Sequence, residues 1–201
     1  MKTLKCEEEL LIACALKKEL KALRKRLQLK CHFIVTGVGF QKTVASLENY
    51  FQRERRPAFF VFTGTAGQLD PSLEIGEIVL PEEWCIQDGP CFSVDEKLVA
   101  DLRQYGWKIE GRGLTVARPV LKAKSRMLLH QQSKALVCDM ESAGALQVAR
   151  KYDIPSVAPK VISDTANSGV RAFRDEFDNN IDRLADYLEK FIRYPHKGLG
   201  V

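Results

Sequence analysis

No apolar run in the chain approaches the roughly 18–20 residues that span a bilayer. The stretch Leu10–Leu16 is apolar, but Glu7, Glu8 and Glu9 precede it, where a secretory signal would carry basic residues. A cytoplasmic protein without a membrane span is expected. The six cysteines include no C-x-x-C pair, so they are expected as buried thiols rather than as disulfides or a zinc site. The three histidines lack metal-ligand spacing, and no metal is expected. Thirteen glycines and eight prolines are scattered, which excludes a repeat or a low-complexity linker. What remains is ordinary globular material, 45% hydrophobic and 28% charged over 201 residues. That suits a single domain, expected over 1–194, with a loose tail over 195–201.

The formal charge is +5, and its distribution matters more than its sum. Basic residues crowd Lys17–Lys30, with Glu19 the only acid among them, and crowd again over Arg118–Lys134. Leu20, Leu23 and Leu27 continue from Leu16 at helical spacing, so the first cluster reads as the solvent face of an amphipathic helix. A phosphate-tracking nucleic-acid surface would want interleaved aromatics, which this cluster lacks.

Strands and helices alternate. Apolar runs at Leu10–Leu16, Cys31–Thr36, Ala58–Phe62, Glu77–Leu80, Leu136–Cys138 and Ser156–Ile162 read as strands. Helical periodicity appears at Lys17–Leu27, Thr43–Arg53, Val94–Tyr105, Lys122–His130, Ser142–Tyr152 and in a long stripe from Phe173 to Ile192. The class this predicts is α/β, a sheet covered on both faces by helices.

Ligands in such folds gather at the C-terminal ends of strands. Four of these ends carry unusual chemistry: Glu19, the Gly64-Thr65-Ala66-Gly67 segment, Met140-Glu141 and Ser163-Asp164. The glycine segment is expected as a turn with free amides for a ligand. Glu141 opens a helix, where the macrodipole favours a carboxylate, and it can also accept both hydroxyls of a sugar diol. Asp164 can cap a loop, or it can hold a proton and pass it to a leaving group. Gly37-x-Gly39 lacks the third glycine and the closing acid of a dinucleotide site and reads as a tight turn.

The run from Val137-Cys-Asp-Met-Glu-Ser-Ala-Gly through Val161-Ile-Ser-Asp164 resembles the signature of the purine nucleoside phosphorylase and uridine phosphorylase superfamily. It is most similar to methylthioadenosine/S-adenosylhomocysteine nucleosidases and their hopanoid-associated phosphorylase relatives. Thr63-Gly-Thr-Ala-Gly67 with Ile75-Gly-Glu-Ile-Val79 resembles the family's glycine loop and following strand, and Ala15-Leu-Lys-Lys-Glu19 its N-terminal acidic motif. The resemblance implies a three-layer αβα sandwich with a mixed central β-sheet. It implies that Asp164 protonates purine N7 with Ser163 orienting it, that Met140 and Glu141 hold the ribose, and that Glu19 positions the attacking water. Thr65, Ala66 and Gly67 would line the pocket. It further implies a homo-oligomer, with a dimer favoured, a small nucleoside as the partner and no cofactor, phosphate being a co-substrate only of a phosphorylase.

Four positions depart from the family pattern. Lys17 and Lys18 replace carboxylates, Lys160 replaces an arginine, and Phe62 stands where hexameric phosphorylases carry a phosphate-binding arginine. Phenylalanine cannot neutralise phosphate, which favours water as nucleophile. The stretch between Leu80 and Leu136, which covers base and 5′ group in the family, is short. The basic surplus is then expected around the pocket. Hydrolytic release of base from a purine nucleoside is the leading expectation. Phosphorolysis, a non-catalytic nucleoside-binding role and nucleic-acid binding through Lys17–Lys30 are its alternatives.

Overall fold

The computed structural model describes residues 10–27, 31–54, 56–104, 106–165 and 176–193. The expectations for the tail over 195–201, for Phe173, for the loop beyond Thr165 and for Cys6 fall outside them. Two long apolar runs build the centre. Strand β1 (Leu10–Cys14) lies between β2 (His32–Val35) and β3 (Phe59–Phe62), all parallel, and β10 (Ser156–Val157) pairs parallel with β3. Their side chains alternate between two cores. Leu10, Ile12, Phe59 and Val61 face one, and Leu11, Ala13, Phe60 and Phe62 face the other. Burial on both faces is why these strands read as unbroken hydrophobic runs.

Helices α1 (Lys17–Leu27), α3 (Glu96–Gln104) and α6 (Phe177–Arg193) supply the first core through Leu23, Leu98, Leu102, Ile181, Leu184 and Leu188. Helices α2 (Phe40–Arg53) and α5 (Ser142–Lys151) supply the second through Leu47, Phe51, Ala143, Leu146 and Ala149. The expected layering, helices on both faces of the sheet, is what the chain adopts. The basic residues of α1 face solvent, as its periodicity predicts, and Arg26 reaches Asp182 of α6 at 2.8 Å.

The remaining strands form a mixed sheet in the order β5 (Ile78–Val79), β11 (Lys160–Asp164), β4 (Gly64–Gln68), β9 (Ala135–Asp139), β8 (Arg112–Thr115), β6 (Glu83–Ile86) and β7 (Cys91–Ser93). Two chain segments cross from the first sheet to this one: β3 runs into β4 through Thr63, and β10 into β11 through Ala158 and Pro159. The Thr63 hydroxyl donates to the Pro159 carbonyl at 2.9 Å and ties the two crossings together. So Gly64–Gly67 is strand, not the turn expected of it, and the expected strand Ser156–Ile162 is two strands with a break.

Three further strands, β6, β7 and β8, also fall where no strand is expected. Strand β8 carries Gly113 because a Cβ there would lie 2.4 Å from the buried Trp84 indole of β6. Strands β6 and β7 pair antiparallel with Cys85 opposite Cys91, and the two sulfurs are bonded. The expectation of free thiols fails at this pair, because strand pairing across a hairpin brings together cysteines that no C-x-x-C spacing marks. Cys14 and Cys138 are the buried free thiols expected of them. Among the described residues no helix is long and apolar enough to cross a membrane.

Candidate active site

A cavity of about 460 Å³ opens where the strands of both sheets end. All eight residues singled out in the sequence line it: Glu19, Thr65, Ala66, Gly67, Met140, Glu141, Ser163 and Asp164. They come from α1, β4, the β9–α5 junction and the end of β11. The convergence follows from topology, since β4, β9 and β11 are neighbours in one sheet.

Glu19 is buried, and its carboxylate is held by backbone. Oε1 accepts from the Thr65 amide at 3.0 Å and the Thr65 hydroxyl at 2.9 Å, and Oε2 accepts from the Leu16 amide at 3.1 Å. Gly64 makes this possible. Its φ is +142°, and a Cβ would stand 2.9 Å from Glu19 Oε1. The glycine segment therefore makes room for a protein carboxylate, and the Thr65 amide is spent on Glu19 rather than left free for a ligand.

Glu141 accepts from the Gly39 amide at 2.7 Å and the Met140 amide at 3.2 Å. The first bond needs α2 to begin close against α5, and Gly144 allows this, since a Cβ there would lie 3.0 Å from the Phe40 ring. The Gly37-x-Gly39 turn thus serves the site, a role its sequence did not reveal. Burial, then the charge of Asp139, pushes the Glu141 carboxyl up to about 7. Asp139 lies below it, accepting from the Ser142 amide at 3.1 Å, the Thr115 hydroxyl at 2.9 Å and the buried Lys160 ammonium at 3.1 Å. Lys160 also sits 4.3 Å above the Phe62 ring.

Asp164 is not a carboxyl standing alone. Ser163 donates to its Oδ1 at 2.6 Å, and Arg126 of α4 (Ala123–Ser133) forms an ion pair with its Oδ2. The loop before α4 supplies Val116, Pro119, Val120 and Leu121 as an apolar cover. Arg126, Asp139 and Gly39 are the site residues that the sequence reading assigned no part, and Lys160 entered it only as a replacement for the family's arginine. A usable signal existed for Asp139, which lies inside the Cys-Asp-Met-Glu run.

The lining of the cavity is rich in carboxylates. Among the described residues, four carboxylates line it against two cations, Arg126 and Lys160, each already paired with an aspartate. Cys138 also lines it, and burial pushes its thiol up to about 12, so it is an apolar wall rather than a thiolate nucleophile. Among the described residues, Glu83, Cys85 and Cys91 place ligand atoms within 4.8 Å of one another. The two sulfurs bond each other and Glu83 pairs with Arg112 at 2.6 Å, which does not leave that group free for a metal.

Comparison with known proteins bears on the fold and the family. The chain is 29% identical to a 5′-methylthioadenosine/S-adenosylhomocysteine nucleosidase of Buchnera aphidicola over 80% of this chain and 77% of that protein. It is 28% identical to the Shewanella pealeana protein of the same name, over 72% and 73%. Among solved structures, the Helicobacter pylori nucleosidase superposes with a TM-score of 0.79 at 16% identity, covering 91% of this chain and 97% of that one. A futalosine hydrolase mutant from the same organism gives 0.81 at 15%, with the same coverage. These likenesses establish a shared fold. The family model described as the phosphorylase superfamily matches residues 16–193, and the chain belongs to that superfamily.

Proposed function

We propose that the protein hydrolyses the N-glycosidic bond of an adenosine-type purine nucleoside. The observation that carries the choice of water over phosphate is the pairing of the cations: among the described residues the two that line the cavity, Arg126 and Lys160, are each already bound to an aspartate. A phosphate dianion entering there would lose its hydration and gain no free cation from the described residues in exchange. The same enclosure suits a transition state in which positive charge develops on the sugar.

In the proposed step, the C1′–N9 bond breaks and its electron pair stays with the base. Asp164, aimed by Ser163, gives its proton to N7, so the base leaves neutral. Glu141 accepts the ribose hydroxyls, and Met140 packs against the sugar. Water adds to C1′ and passes its proton to Glu19. The products are free base and pentose, and the proton on Glu19 returns through solvent to restore Asp164. Water is the only co-reactant, and the scheme needs neither metal nor cofactor. The names of the curated relatives make 5′-methylthioadenosine and S-adenosylhomocysteine the first substrates to try.

A homodimer belongs to the same proposal. Val38, Leu121, Met127 and Leu128 are 43%, 61%, 56% and 51% exposed, and Val38 and Leu121 also line the cavity. Sedimentation velocity should show a dimer; a monomer at micromolar concentration would remove this part.

The central test follows free base by chromatography from these nucleosides, with and without phosphate. Release in phosphate-free buffer is expected. Strict dependence on phosphate would overturn hydrolysis, and binding without turnover would favour a non-catalytic nucleoside-binding protein.

A further inference from the structure

We infer that Arg126 is a positioning residue for glycosidic cleavage, aiming the carboxyl of Asp164 and latching the cavity's cover to it. The inference rests on the proposed role of Asp164 as the acid.

The first observation is that α4 is packed inside out. It buries Arg126, 4% exposed, and turns Met127 and Leu128 to solvent. A helix that hides its guanidinium and shows its methionine and leucine gives up apolar burial, so the buried arginine needs strong partners. The second observation is where those partners lie. Nε donates to the Val120 carbonyl at 2.8 Å, and Nη1 donates to the Gln68 carbonyl at 3.2 Å and the Asp164 carbonyl at 3.0 Å. Nη2 donates to the Asp164 carboxylate. One side chain therefore joins the covering loop, the end of β4 and the end of β11.

The third observation is the bed beneath the guanidinium. Gly67 offers no Cβ, and one placed there would stand 3.3 Å from both Nη atoms. The site is shaped to this arginine.

Asp164 is thereby held at both oxygens, by Ser163 on one and Arg126 on the other. In this structure both Asp164 oxygens accept, from Ser163 and from Arg126, so the proton passed to N7 is drawn from solvent when the nucleoside is bound, and the carboxylate left behind regains both bonds as C1′–N9 breaks. Arg126 thus acts most strongly as the bond breaks, through Asp164 and without touching the base. Because the same guanidinium holds Val120, displacement of the cover is transmitted to the acid.

The test compares two substrates in Arg126→Met. A purine nucleoside needs its leaving group protonated, whereas p-nitrophenyl β-D-ribofuranoside releases a stable phenolate and does not. Turnover of the purine nucleoside should fall about 100-fold in kcat with little change in KM, as for a misaimed catalytic group. Turnover of the p-nitrophenyl riboside should fall far less. Arg126→Lys keeps the charge without the forked geometry and should show a smaller loss of the same selective kind, which also decides the matter if Arg126→Met does not fold. Equal losses on both substrates would mean a merely structural arginine, and no loss on either would mean an idle one; each overturns the inference. Asp164→Asn run beside them separates the premises. If it spares the purine nucleoside, the acid assignment fails. If it shows the selective loss and the Arg126 variants do not, only the present inference fails.

Discussion

The floor and the cover of the cavity are built on opposite plans. On the floor, each carboxylate takes two or more backbone donors, Glu19 from Leu16 and Thr65, Glu141 from Gly39 and Met140, Asp139 from Glu141 and Ser142, with side chains such as Thr65, Thr115 and Lys160 adding to them. Over the cavity, an apolar loop is held to the site by the side chain of Arg126. Backbone donors at strand ends and helix starts are not deleted by trimming a side chain, whereas a side-chain latch can be lost in one step. The floor is thus suited to chemistry that must not vary, and the cover to contacts that can be retuned.

The largest expected effect comes from crowding the floor, since its backbone donors are not removed by trimming side chains. Gly64→Ala would force a non-glycine residue to φ +142° and place a methyl 2.9 Å from Glu19 Oε1. Base release should fall by about 100-fold or more, the scale of a displaced catalytic carboxylate. A steady-state assay checks this, and near-normal turnover would show that the floor yields as easily as the cover.

Next in size is a pH effect at Glu141. Unfolded, this carboxyl gives up its proton near its ordinary value of 4.5; folded, it keeps the proton up to about 7. Between those values the folded state binds more protons, so stability falls as pH rises and levels off above about 7. The loss attributable to this group is on the order of 3 kcal/mol. Urea titrations of wild type and Glu141→Gln across that window should converge or cross as pH rises, and a pH-independent difference would contradict the assignment.

The floor was legible in the sequence, and the cover was not, for physical reasons. Glu19, Glu141 and Asp164 each follow an apolar run, and polar residues at the ends of buried strands stand out against it. Arg126 lies in a basic stretch beside Met127 and Leu128, where hydrophobic periodicity points inward at the wrong residues. Strand β8 escaped because Arg112-Gly113 has poor strand character, and its glycine answers to Trp84, a partner 29 residues earlier. The sheet crossings at Thr63 and at Ala158–Pro159 leave no mark on composition. The two-sided core of β1 and β3 carried the fold class, because a strand buried on both faces is apolar throughout.

A third prediction concerns the support beneath the cover, where Cys85 packs with Leu114, Val116 and Cys138. The Cys85–Cys91 bond closes a short loop, and the Cys85→Ala/Cys91→Ala double variant should lose about 2 kcal/mol of stability. Base release should persist in the folded variant, because no floor donor depends on the hairpin. Loss of turnover at a temperature where the variant remains folded would show that floor and cover are mechanically one.

The smallest effect is expected at Gly67, and it sets the contrast with Gly64 most sharply, since the two glycines lie three residues apart on one strand. Gly67 has no left-handed φ, and its missing Cβ faces the tip of Arg126 at 3.3 Å instead of a trapped carboxylate. In Gly67→Ala the guanidinium must shift by a few tenths of an ångström, which lengthens its bonds to Gln68 and Asp164 without breaking them. Purine nucleoside turnover should fall by roughly threefold to tenfold, a partial version of misplacing the acid, with stability changed by about 1 kcal/mol or less. If the methyl acts by displacing Arg126, adding it to Arg126→Met should cost nothing further, because the side chain it pushes is gone. A loss as deep as that of Gly64→Ala, or one that adds fully to Arg126→Met, would mean that the strand itself reads the methyl, and the division between a backbone-held floor and a side-chain-held cover would not stand.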